Sequence, residues 1–140
     1  SLTLSSDGGA VTAVNLAGAP VQDTAHAYLS GFFVRDVAAQ GDYYHVGGSV
    51  SPDGNALVQT GALPALSLDF GAVYTAAADR ITIHAELSDT VSLTRALTLY
   101  FALPVSATHW TWGDDIRAGR IISGAKEFAP SRTHKYRGFQ

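Results

Sequence analysis

Ile81-Thr82-Ile83-His84-Ala85-Glu86-Leu87 alternates apolar and polar side chains at nearly every step. A period of two puts successive side chains on opposite faces of an extended strand, whereas an amphipathic helix needs apolar positions three and four apart. The same alternation runs through Leu66-Ser67-Leu68-Asp69-Phe70 and Leu97-Thr98-Leu99-Tyr100-Phe101-Ala102-Leu103. All three stretches therefore read as half-buried strands, neighbours in a sheet, with Leu68, Ile83 and Leu99 turned inward. Working outward, strands are predicted at Leu2–Leu4 and Val11–Leu16 and over 28–37, 43–50 and 56–60. Turn signals separate them: Asp7-Gly8-Gly9, Gly18-Ala19-Pro20, Gly47-Gly48 and the hairpin dipeptide Asp53-Gly54. Strands spaced by about 8 to 15 residues, with no long apolar stripe of helical period, predict an all-β fold, a mostly antiparallel β-sandwich. Single helical turns are expected only at the alanine-rich 23–29 and 74–78 and after Asp114, where two aspartates suit a helix N-terminus.

A chain of 140 residues is long enough to bury a core as one domain. That domain is expected over 1–125. The remaining 126–140 carry Lys126, Arg132, Lys135 and Arg137, four of the nine Lys and Arg, and read as a basic arm or linker. With 46% hydrophobic and 15% charged residues the composition is charge-poor, which predicts surface covered by another domain or subunit. The start at Ser1 and the lack of any Met add the expectation that the chain is a piece of a longer protein. A net charge of −3 gives no basic patch for nucleic acid, and none is expected as a partner. Nor does any apolar run approach the roughly 20 residues that span a bilayer, so no membrane partner is expected. Zero Cys removes disulfides, thiolate chemistry and Cys-ligated zinc, and leaves the compartment open.

Both tryptophans fall in His109-Trp110-Thr111-Trp112-Gly113-Asp114-Asp115-Ile116-Arg117. An indole face stacks on the apolar C–H face of a pyranose, while charged neighbours take the hydroxyls. On a strand, Trp110 and Trp112 would share one face, a pattern that also serves core or inter-domain packing. Tyr43-Tyr44-His45 is the second aromatic cluster. Adjacent tyrosines on a strand point to opposite faces, so one joins the core and the other is presented. Arg35-Asp36 reads as a surface pair or a buried loop anchor, the structural role being favoured.

Asp114 and Asp115, being adjacent, cannot both flank one glycosidic bond, which needs carboxylates about 5 to 9 Å apart. A cap, a turn or an ion pair with Arg117 or Arg120 suits them better, although one acid with a distant partner such as Asp69, Asp79 or Glu86 stays open. The histidines His26, His45, His84, His109 and His134 show no zinc-site spacing, and no nucleophile elbow or phosphate loop is present. No catalytic residue, metal or cofactor is therefore expected. The ligand-binding residues expected are Trp110, Trp112, Tyr43, Tyr44, His109, Asp115 and Arg117.

The segments Ser30-Gly31-Phe32-Phe33-Val34-Arg35-Asp36-Val37, Asp79-Arg80-Ile81, Arg95 to Val105, and Trp110 to Arg117 together resemble the N-terminal β-sandwich region of large bacterial glycoside-hydrolase-like proteins. The resemblance covers most of the chain. In such proteins the sandwich resembles supersandwich domains that precede a catalytic barrel, where the chemistry usually lies. It implies a carbohydrate context and an accessory role: a non-catalytic module that binds a glycan or polysaccharide, or packs on an adjacent catalytic domain, in a secreted or periplasmic bacterial protein. The alternatives are a purely structural inter-domain or oligomerisation sandwich, and a small glycoside hydrolase or a fragment of one.

Overall fold

In a computed structural model the residues described are 1–23, 29–91, 94–113 and 117–123. The chain divides into two compact units, Ser1–Val105 and Ser106–Gln140. The first is an antiparallel β-sandwich.

Its larger sheet has the order β6-β7-β8-β9, formed by β6 (Ser49–Asp53), β7 (Ala56–Leu63), β8 (Leu68–Ala76) and β9 (Ile81–Asp89). Alternation along β8 turns Leu68, Phe70, Ala72 and Tyr74 into the core and leaves Asp69, Val73 and Thr75 outside. The facing sheet has the order β10-β4-β5, from β4 (Gly31–Asp36), β5 (Tyr44–His45) and β10 (Leu97–Ala102). Phe32 on β4 packs between the sheets, its ring centroid 4.9 Å from Phe70 and 4.7 Å from Phe101. Val34, Val46 and Leu63 complete the buried cluster, and Ile83, Leu87 and Leu99 pack against it. The interdigitation of two inner faces is what defines a sandwich. A third sheet, of β1 (Leu2–Leu4), β2 (Val11–Leu16) and β3 (Ala19–Pro20), adds Leu2 and Leu4 to that core.

Three expectations are corrected. The 97–103 stretch is not a neighbour of 81–87: β10 crosses to the other sheet and pairs with β4, Leu99 opposite Val34. Alternation shows that a strand has a buried face and not which strand lies beside it. The crossing is anchored at Arg95, whose Nε donates to Asp89 Oδ2 at 2.9 Å and whose second terminal nitrogen lies 2.8 Å from the same oxygen. Another of its nitrogens donates to the Leu66 carbonyl at 2.6 Å.

The 43–50 stretch is two strands in different sheets, because the chain bends at Gly47-Gly48. Gly48 has φ +113°, and a Cβ there would collide with the Thr60 carbonyl of β7. Finally, 74–78 is not helical. β8 continues through Ala76, and a turn closed by the Ala77 N–H on the Arg80 carbonyl, at 2.8 Å, leads into β9. Cross-strand pairing overrides the weak alanine preference for helix.

One polar network is sealed inside the sandwich. Tyr74 donates its hydroxyl to Gln59 Oε1 at 2.6 Å, and Gln59 Nε2 donates to the Val46 and Gly47 carbonyls at 3.4 Å each. Gln59 has no exposed surface, and Gly9 lies so close that any side chain there would collide with it. Burial pushes the Tyr74 hydroxyl up to a pKa of about 12.

In the second unit, β11 (Thr111–Gly113) and β12 (Gly119–Ile121) form an antiparallel hairpin with Trp112 opposite Arg120. Two bonds extend it: the His109 N–H to the Ile122 carbonyl at 2.8 Å and the Ile122 N–H to the Trp110 carbonyl at 2.9 Å. The expected basic arm 126–140 lies outside the described residues, as does the turn expected after Asp114.

Candidate functional site

The outer face of the β10-β4-β5 sheet collects the aromatic side chains that its inner face does not use. On β4, Phe32, Val34 and Asp36 are buried, which turns Phe33 and Arg35 outward. On β10, Leu97, Leu99 and Phe101 pack inward, which turns Thr98 and Tyr100 outward. The register sets Tyr100 opposite Phe33 and Phe33 opposite His45, so three strands contribute one row of rings. Phe33 meets His45 edge-on, with centroids 5.1 Å apart.

Tyr44 and Tyr43 divide as expected. Tyr44 sits opposite Val34 and packs against the core, while Tyr43 is 56% exposed. The Tyr43 ring stands at 63° to Tyr100 with centroids 5.4 Å apart, and Tyr100 is itself 41% exposed. The two phenols therefore make an open corner rather than a flat stack.

Arg35 completes the corner. Its Nε donates to the Gly41 carbonyl at 2.8 Å, and its guanidinium carbon lies 5.1 Å from the Tyr43 ring centre. A long 3.5 Å approach of one terminal nitrogen to the Tyr43 hydroxyl adds little. Arg35 and Asp36 are not a pair, since alternation sends them to opposite faces. Asp36 accepts the Ala39 N–H at 3.1 Å and shapes the loop after β4. Among the described residues no carboxylate pairs with Arg35.

The tryptophan hairpin of the second unit is less uniform than Trp-x-Trp predicts. Only Trp112 is within β11; Trp110 precedes it, next to His109, whose φ is +71°. Trp110 is 45% exposed, whereas Trp112 is half-buried with its indole nitrogen out of solvent. They are not two equally presented indoles: the Trp110 ring is open to solvent, while the Trp112 ring is half-covered. His109 and Arg117 are exposed. Asp115, with Asp114, lies outside the described residues.

Two of the acids weighed as distant partners are engaged in exposed ion pairs. Asp79 pairs with Arg80 and Glu86 with His84, each at 3.1 Å and largely in solvent. Among the described residues no group of three His, Asp or Glu side chains converges as metal ligands would, and no helix is long and apolar enough to cross a membrane.

Tyr100 and Arg35 were not legible as partners of Tyr43. The available signal was an aromatic on the polar side of an alternating run, at Tyr100, and its meaning depends on the register with β4. No family model, curated protein or solved structure matches this chain.

Proposed function

We propose that the chain is a non-catalytic carbohydrate-binding, accessory β-sandwich module of a carbohydrate-active protein. The observation that carries this reading is the exposed Tyr43–Tyr100 corner beside Arg35, whose charge no carboxylate of the described residues neutralises. A pyranose ring laid on one phenol gains a stacking contact, and the hydroxyls of both tyrosines reach its edges. The guanidinium favours a glycan with an acidic substituent, which it holds by charge-assisted hydrogen bonds. The face offers stacking and donors, not the paired carboxyl groups of glycoside hydrolysis. Trp110 supplies a further exposed ring on the second unit.

The test is retention of the chain on a panel of neutral and uronate-bearing polysaccharides, with Tyr43→Ala, Tyr100→Ala and Arg35→Gln beside the parent. The expected result is retention on the acidic members, weakened about tenfold by loss of one stacking ring. No retention on any member, or retention indifferent to all three substitutions, would sink the reading.

A second reading, docking against an adjacent catalytic domain, draws on a cleft of about 680 Å³ in the first unit. Its apolar rim includes Leu16, Ile81 and Leu103, exposed by 60%, 40% and 46%.

A further inference from the structure

We infer that β9 is a self-pairing edge, along which two copies of this chain join antiparallel about a two-fold axis at Ala85. On one side β9 is bonded to β8 over nine residues with no break in register, from Ile81 opposite Ala76 to Asp89 opposite Leu68. On the other side, residues 81–88 have no further backbone partner among the described residues. A row of unpaired N–H and C=O groups on a long, regular strand is a template for another strand.

The opposite edge of the sheet is protected. Strand β6 contains Pro52, and the chain before β2 covers it: the Gly8 N–H donates to the Gly48 carbonyl at 2.7 Å, and the Val50 N–H to the Ser6 carbonyl at 3.0 Å. Strand β9 contains neither proline nor lysine nor bulge, and no segment among the described residues bonds across its outer edge.

The sequence of β9 is self-complementary about Ala85. The axis sets Ile83 opposite the partner's Leu87 on the inward face, continuing the apolar layer. On the outward face it sets His84 opposite the partner's Glu86, twice by symmetry, and Thr82 opposite the partner's Ser88. His84 and Glu86 are 72% and 75% exposed and already reach each other within one chain at 3.1 Å, so re-pairing across the axis requires only side-chain rotation. Moving the axis by one residue would set His84 against His84 or Glu86 against Glu86, facing like groups with like. Isologous contact of this kind closes at two copies.

Sedimentation of the full chain over a range of concentrations tests the proposal, without reference to glycan. The parent is expected to dimerise reversibly. Glu86→Lys, which opposes His84 with a cation at two symmetric positions, should weaken the dimer about tenfold or more. His84→Lys should retain it, and the charge-reversed double variant His84→Glu with Glu86→Lys should restore it. Hydrogen exchange supplies the location: amides within 81–89 that exchange freely in the monomer should be protected in the dimer. A parent that stays monomeric throughout overturns the proposal. So does a dimer that Glu86→Lys leaves unchanged, a double variant that fails to recover, or association that leaves the amides of 81–89 unprotected.

Discussion

Tyr74 and Gln59 show how much one buried pair governs at the scale of single residues. Removing the phenol oxygen in Tyr74→Phe leaves Gln59 Oε1 without its donor, and should cost about 1–3 kcal/mol at neutral pH, read from denaturant unfolding. The same variant changes the alkaline limb. Tyr74 is an acid whose folded pKa, about 12, is above the ordinary phenol value of 10.0. The folded state therefore holds the proton where the unfolded chain releases it, and stability from this group is full below about pH 10 and is lost as pH rises toward 12. Tyr74→Phe should flatten that fall; an alkaline unfolding profile identical to the parent's would contradict the assignment. The two tryptophans should separate in the same way. Trp112→Ala, at the half-buried position, is expected to cost roughly 2 kcal/mol in the hairpin's local stability, while Trp110→Ala should leave hydrogen exchange of Thr111–Gly113 as it was.

Among the elements, the decisive features are where strands end and which strands they meet. Leu68 opens β8, is 2% exposed and faces the opposing sheet. Leu68→Ala should cost about 2–5 kcal/mol, a large part of the stability of a domain this size, and thermal unfolding measures it directly. Gly48 lets the chain leave β5 for β6. Gly48→Ala places a Cβ against the β7 backbone at a φ that L-residues rarely adopt, and should destabilise at least as much as a core truncation. The Asp89–Arg95 pair holds the crossing from β9 to β10, with the Arg95 side chain only 9% exposed. Asp89→Asn leaves that guanidinium poorly compensated and should cost about 3 kcal/mol, whereas an exposed pair such as Asp79–Arg80 should be worth well under 1 kcal/mol.

For the whole molecule, both packed sheets, the N-terminal sheet and the aromatic corner belong to Ser1–Val105. That segment prepared alone should show a β-type circular dichroism spectrum and one cooperative unfolding transition. Under the proposed function it should also keep the retention that depends on Tyr43 and Tyr100. An unfolded 1–105 would mean that the sandwich requires residues beyond Val105.

Local pattern was enough for the all-β class, because alternation is a property of consecutive residues and each strand carries its own two faces. For the same reason Tyr43-Tyr44 was readable as one presented and one packed ring, and Leu68 as inward. Which strands share a sheet was not readable: the apolar sides of 81–87 and 97–103 look alike, and only the crossing held at Arg95 sends them to opposite layers. The Tyr43–Tyr100–Arg35 corner arose in the same step. Tyr100 is far in the chain from Arg35 and Tyr43 and meets them through the β10-β4 register, which depends on how the inner faces of two sheets fill one core. A strand's alternation decides which side chains are turned outward, and tertiary packing alone decides which outward side chains become neighbours.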